Sequence, residues 1–404
     1  MKICRTLKLG LAIGLLGALM AGSAWAASVS GRASTVLEWF DDAQEDTALV
    51  GYQYLQLNVK DLGAEGYHFR GYGRLADDLA DEVDADSRLY YAYIEKKNLF
   101  KSLDAKFGRQ FISTSAGASL MDGLHLDYHD LGPLGIKLFG GGDVSYYEGY
   151  NAKDLIAGTE VYGRFFDSLD LGVSYLQRWE DSELANELIG LDVDYTYANV
   201  ISLYSETQFD YLSDSVSYFL AGARYFRNPK WSLRTEYLYS LPVFSSTSIY
   251  SVFAVDEYQE VSAELGYSLA PGLRTFALYT REIYQDFDDA NVYEAGIEKI
   301  RTERFSGYLI GTLRDAGDSQ DLYGFKAYAS YLFCPSFQAG LGAHVDVIER
   351  RLEEQDDETT SSRLWVDATT YLSKKLNVQA KVERVESDLW DDYYRGRVRL
   401  NILF

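Results

Sequence analysis

The stretch "YYRGRVRLNILF" spans Tyr393–Phe404, and its alternation decides the reading of the whole chain. Tyr394, Val398, Leu400, Ile402 and Phe404 step along one face, while Arg395, Arg397, Arg399 and Asn401 occupy the other. Period-2 alternation is the mark of a β-strand whose two faces meet different surroundings. If the apolar face meets hydrocarbon, the three arginines must point the opposite way. At the bilayer midplane each would cost about 2–4 kcal/mol on the lipid side.

The same pattern recurs along the chain with no helical interlude. "YQYLQLNVK", "RLYYAYIE", "LDLGVSYLQRW", "LRTFALYTREI" and "LNVQAKVERV" are examples, and 22 such segments can be counted, each near the length of a tilted membrane strand. Their connections alternate in kind. Ten are short, such as "DLGPLG", "LAPGL", "FCPSF" and "LSKKL". Eleven are longer, among them "FDDAQEDTAL", "DDLADEVDAD", "EDSELANE", "ERRLEEQDDE", Phe111–Met121, Asp143–Asp154 and Leu241–Glu257.

The eleven long connections hold 37 of the 61 acidic residues and only three cations, Lys153, Arg350 and Arg351. Acidity is thus confined to one rim of the expected fold. A soluble β-sandwich has no reason to sort charge by the parity of its connections. A membrane barrel with short turns on one side and long loops on the other does. Backbone groups in hydrocarbon must pair internally, so a β-protein spans a bilayer only as a closed ring. The expected fold class is therefore all-β: a transmembrane up-and-down antiparallel β-barrel of about 22 strands (20–22), without a plug domain.

Residues 1–26 read as a cleaved signal peptide. Lys2, Arg5 and Lys8 precede the apolar run "LGLAIGLLGALMAG", and Ala24–Ala26 form a small-x-small cleavage site. Residues 27–404 are then a single barrel domain whose first strand begins at about Val29. The expected location is the cell outer membrane, with acidic loops outside and short turns and both termini in the periplasm. Cys334 is the one thiol after the signal, so no intramolecular disulfide can form.

With "FGRQF" (Phe107–Phe111) followed by "MDGLHLDY", and with apolar residues at alternate positions before a terminal Phe, the chain resembles the porin-like outer-membrane barrels of Gram-negative bacteria. The resemblance implies that Tyr394, Val398, Leu400, Ile402 and Phe404 form the signal read by the barrel assembly machinery. It also implies that the connection after the fifth strand, with Phe111, Ser113, Ser115 and Ser119, folds inward as a pore-narrowing loop. Here that connection is short and uncharged.

Several candidate sites follow from the residues themselves. Arg32, Arg70, Arg74, Arg395, Arg397 and Arg399 share lumen parity and form a basic ladder. It would either attract anions or pair with acids such as Glu38, Asp367 and Glu383. His125, Asp127 and His129 lie on one face of a strand, a spacing that could contribute metal ligands but equally describes lumen-facing polar residues. No G-x-S-x-G elbow is present and no C-x-x-C-H motif, so an enzyme and a covalently bound haem are not expected, and no cofactor is assigned to this chain. Nucleic acid is not an expected partner; outer-membrane lipid and lipopolysaccharide are.

Two functions stay open at this level. One is a porin-like channel for small hydrophilic solutes or ions. The other is the barrel sheath of a porin–cytochrome conduit, insulating a multihaem c-type cytochrome in its lumen for electron transfer.

Overall fold

The computed structural model describes residues 28–41, 47–63, 66–145, 151–242, 257–286, 288–317, 321–352, 355–388 and 390–404. The signal-peptide segment, residues 1–26, lies outside them, as does most of the long connection over 243–256. Every regular element among the described residues is a strand.

The alternation of the last strand, β22 (Trp390–Leu403), sets its pairing. Val398 lies opposite Leu37 of β1 (Ser28–Asp41), Arg399 opposite Val36 and Arg397 opposite Glu38. The pairing continues beyond the strand's last residue: Gly31 and Phe404 exchange backbone hydrogen bonds of 3.0 and 3.1 Å. Each remaining strand pairs antiparallel with its sequence neighbour, so the sheet closes into a ring of 22 strands. Given strands about 4.8 Å apart and tilted about 40°, such a ring is roughly 40 Å across.

The outer wall is apolar. Ile94, Leu138, Val173, Leu265, Leu309 and Val366 all stand exposed on it, as the hydrophobic face of a membrane-spanning barrel requires. The inner face carries most of the charge.

Ten short connections lie at one end of the barrel and eleven at the other, as the parity of the sequence requires. Seven of the ten short turns are preceded by a register shift, for example between Tyr128 and Leu131 or between Ser268 and Ala270. The extra residue increases local twist and helps the chain reverse within two or three residues.

The strands are longer than the sequence suggested. They run from 10 residues in β7 (Leu134–Asp143) to 19 in β20 (Gln355–Ser373). Several stretches read as loops are strand. "EDSELANE" is mostly the end of β9 (Leu169–Glu180) and the start of β10 (Glu183–Tyr197). The segment Phe111–Met121 is likewise not a loop: β5 (Leu103–Thr114) and β6 (Gly117–Leu131) run through it, and only Ser115 and Ala116 connect them. Strand pairs that project beyond the wall can carry polar residues on both faces, so their composition resembles that of loops.

Closure depends on a close approach at Gly31. A Cβ there would lie 2.4 Å from the Gln56 carbonyl oxygen and 2.6 Å from the Phe404 ring. We expect Gly31→Val to cost about 1–3 kcal/mol through overpacking. It should reduce the fraction migrating as a compact, heat-modifiable species on gels. Gly311→Ala, where nothing lies within 4 Å, should leave that fraction unchanged. Equal behaviour of the two variants would show that the Gly31–Phe404 contact does not govern closure.

Candidate lumen site

The lumen is polarised across its width. On the side formed by β20, β21 (Leu376–Ser387), β22, β1 and β3 (Tyr67–Asp78), the inward positions hold Arg363, Lys381 and the six ladder arginines. Eleven strands round the ring from β1 lies β12 (Ser215–Asn228), and the strands about it present carboxylates. Asp192 of β10 faces Glu206 of β11 (Ile201–Asp210) directly. Glu260 of β14 (Tyr258–Ala270) faces Glu282 of β15 (Leu273–Tyr284). Like charges placed opposite each other destabilise a strand pair; Arg314 offsets this for Glu282, pairing with it at 3.0 Å. Together the two walls set up a transverse field across the passage.

Tyrosine acts on the walls in two ways, and Tyr204 does both, its ring also lying 5.1 Å from the Arg224 guanidinium. On the acidic side its hydroxyl donates to carboxylate: Tyr204 to Glu236, Tyr258 to Glu260 at 2.9 Å and Tyr284 to Glu282 at 3.0 Å. On the basic side its ring face meets a guanidinium. Arg74 lies 5.0 Å from the Tyr52 centroid and Arg399 5.6 Å from that of Tyr54. The ring quadrupole accounts for the second geometry and the phenol donor for the first.

The six ladder arginines divide into two groups. Arg395 pairs with Glu383, Arg397 with Glu38 at 3.8 Å, and Arg70 with Glu95 at 3.9 Å. Arg32 instead donates to the Asn401 side-chain oxygen, at 3.1 and 2.5 Å. Arg74 donates to the Asp86 backbone carbonyl at 3.2 Å, and Arg399 rests on Tyr54. Among the described residues no carboxylate lies within ion-pair distance of Arg32, Arg74 or Arg399. Asp367, considered as a partner for the ladder, instead accepts a hydrogen bond from the Tyr328 hydroxyl at 3.2 Å.

The second component of the site is the β5–β6 hairpin. Its lumen-side residues Gly108 and Gly123 stand in register with Gly141 of β7. A Cβ at these positions would come within 2.4, 2.2 and 2.3 Å of a neighbouring backbone oxygen. Gly108 also has φ +123°, a conformation that L side chains rarely adopt. Above this glycine row β5 leaves β4 (Arg88–Leu99), and the hairpin tip lies inside the barrel.

The tip seats on one lumen-facing row of the wall formed by β9–β11: Ser174 of β9, Gly190 of β10 and Gln208 of β11. Ser174 Oγ accepts from the Ala116 N–H at 2.7 Å and lies 2.8 Å from Ser115 Oγ. Gln208 donates to the Ala116 carbonyl at 2.9 Å. Beneath these polar contacts Ile112, Ala116 and Met121 bury themselves against Phe139, Ile156, Leu176 and Leu188. Each large side chain so buried contributes about 1.5–3 kcal/mol, against roughly 1 kcal/mol for each hydrogen bond. Apolar burial therefore holds the tip more strongly than its polar contacts do. Phe111 and Ser113, on the hairpin's other face, are exposed, whereas Ser115 and Ser119 are buried.

The candidate metal residues do not converge. Asp127 accepts from the Tyr162 hydroxyl at 2.7 Å, and no group of three metal-ligating side chains is present among the described residues. The terminal residues Tyr394, Val398, Leu400 and Ile402 have outward parity, and Phe404 closes the ring on β1. The glycine row and the wall residues that receive the tip were not singled out in the sequence. Glycines at lumen parity in three consecutive strands, in "FGRQF", "MDGLHL" and "LFGGG", were the available signal.

No protein-family model matches the chain, and no curated protein does. Among solved structures it is similar to Pseudomonas aeruginosa OpdQ, at 12% identity over 94% of this chain and 99% of that one, with a TM-score of 0.48. Similarity to P. aeruginosa OpdL has the same values. Similarity to P. aeruginosa OccK2 (OpdF) in complex with glucuronate is 10% identity, over 94% and 98% of the two chains, with a TM-score of 0.45.

The seating of the tip can be tested chemically. In a Cys334→Ser background, Ser115→Cys with Ser174→Cys should oxidise readily to a disulfide, because the two native hydroxyl oxygens lie 2.8 Å apart. Thiols that stay free under oxidant would place the tip elsewhere.

Proposed function

We propose that this chain is an outer-membrane channel through which small hydrophilic solutes and ions cross, and that it performs no reaction of its own. The observation that carries this reading is a polar lumen, charged oppositely on its two sides, beside a hairpin docked inside the barrel. The hairpin narrows the passage. The field between the arginine ladder and the carboxylate wall orients dipolar solutes, and Arg32, Arg74 and Arg399 offer positive charge with no carboxylate partner among the described residues. A sheath around a multihaem cytochrome would need the tip to vacate the lumen against the buried cluster that holds it, so the channel reading is preferred.

In this reading the acidic rim faces outward, where divalent cations bridge it to lipopolysaccharide, and the short turns lie in the periplasm. Cys334 then reports orientation. It is exposed beside a short turn, and a hydrogen bond with Ser336 holds its thiol below the usual range, favouring the reactive thiolate. A membrane-impermeant maleimide should label it only after the outer membrane is permeabilised. Labelling in intact cells would invert the assigned orientation.

The channel itself is tested in planar bilayers with the purified chain. Steady ohmic steps are expected. Gly190→Leu places side-chain atoms where Ser115 and Ala116 now sit, since a Cβ there would lie 2.1 Å from the Ala116 nitrogen. It should displace the tip and raise the conductance. Arg397→Glu with Arg399→Glu should shift the cation-to-anion permeability ratio toward cations by about twofold or more. A folded barrel that passes no current would overturn the channel reading.

A further inference from the structure

Cations on the outer face of the wall find their partners within the protein. The outward-facing Arg109 pairs with Asp122 at 2.6 Å, Arg281 with Asp289 at 2.7 Å and Arg384 with Glu386 at 3.3 Å. Lys299, also outward, donates to the Pro271 carbonyl at 3.2 Å and the Thr302 hydroxyl at 2.9 Å. Lys96 of β4 departs from this pattern. It stands opposite Ala105 of β5, on the face that carries Ile94 and Phe107. Its ammonium lies 5.0 Å from the Tyr67 ring centroid, and among the described residues no carboxylate lies within ion-pair distance of it.

The surroundings of Lys96 show what it faces. Leu99 and Leu103 close the pairing at the β4–β5 turn, so Lys96 sits about 10 Å of strand from the end of the barrel. A lysine at that depth can lay its methylenes on the wall and lift its ammonium to the headgroup level. The turn adds Lys101, exposed and likewise without a carboxylate among the described residues, and Phe100, 87% exposed. Phe107 and Tyr128, both exposed, continue the outer wall beside them. The acids of these hairpins are engaged elsewhere. Asp104 has lumen parity and accepts from the Asn98 N–H at 2.8 Å, and Asp130 accepts from the Ser102 hydroxyl at 3.0 Å. Two cations set among aromatic rings at the edge of an apolar wall match the interface of an anionic bilayer.

We propose that the short-turn end of the wall at β3–β6 binds the headgroup of an anionic phospholipid, whose phosphate answers Lys96 and Lys101 and whose acyl chains lie on Ile94 and Phe107. The missing counterion identifies the occupant. Lys96 faces the bilayer rather than the lumen, and at the bilayer boundary the anion within reach is a lipid phosphate. Two cations favour a headgroup whose phosphate is not offset by an ammonium of its own, so phosphatidylglycerol is preferred over phosphatidylcholine. This rests on the membrane placement proposed above and not on the passage of solutes.

The test uses the full barrel with Cys334→Ser and a single Ala105→Cys carrying a bimane fluorophore. It is reconstituted in vesicles of equal phosphatidylglycerol and phosphatidylcholine, in which one lipid or the other carries brominated acyl chains. Leu203→Cys serves as the reference, since it is outward-facing and lies beside the uncharged turn over 198–200. Brominated phosphatidylglycerol should quench the Ala105 label more than brominated phosphatidylcholine does, by about twofold or more in local enrichment. The two lipids should quench the Leu203 label alike. Lys96→Gln with Lys101→Gln should bring the Ala105 label to the Leu203 ratio. Leu126→Cys, outward on the next strand, replaces Ala105→Cys if that variant does not fold. Equal quenching by the two lipids at Ala105, or a preference that survives loss of both lysines, overturns the headgroup site and leaves the membrane placement standing. Labels at Ala105 and Leu203 that neither lipid quenches overturn the placement and the site together.

Discussion

Hydrocarbon offers no partner for a backbone amide or carbonyl, and the hydrogen bonds that join β1 to β22 answer that constraint. They turn an open sheet, with two exposed edges, into a ring. The register of that seam, with Arg399 opposite Val36 and Arg397 opposite Glu38, also fixes which residues face inward on the neighbouring strands. A slip of one residue would carry three arginines into lipid and the apolar face into water. Closure and the character of the lumen are therefore one decision.

Within the ring the sheet has been bent to make a site. The glycine row at Gly108, Gly123 and Gly141 lets backbones approach more closely than any Cβ would allow, and the hairpin above it turns inward. Its tip then finds a small apolar core inside an otherwise polar lumen, at Phe139, Ile156, Leu176 and Leu188. The same bend ends the β4–β5 pairing at Ala92 opposite Arg109. The interior site and the early end of that pairing are two consequences of one local departure from regular pairing.

Much of this was legible in advance. The strand number, the closed ring, the sorting of acids to one rim and the lumen parity of the arginine ladder all follow from alternation and from the parity of the connections. Loop lengths did not. Phe111–Met121 reads as a loop because Ser113, Ser115, Gly117 and Ser119 are poor in strand formers. Yet β5 and β6 pair across it from Thr114 opposite Gly117 downward. The ladder's partners were legible only in part. Glu38 and Glu383 pair with it as considered, whereas Asp367 binds Tyr328 and Arg32 donates to Asn401.

By itself the sequence determined which residues face hydrocarbon and which face water, because a period of two forces that choice at every strand and lipid makes errors costly. It could not say which strands lie across the lumen from one another, since that depends on the number of strands in the closed ring. The opposition of the arginine and carboxylate walls, the seating of Ala116 on Ser174 and Gln208, and the parting of β4 from β5 were decided by tertiary structure. Each joins residues from strands that do not neighbour one another in sequence, or arises where neighbouring strands separate, and hydrophobic periodicity is a property of one strand at a time.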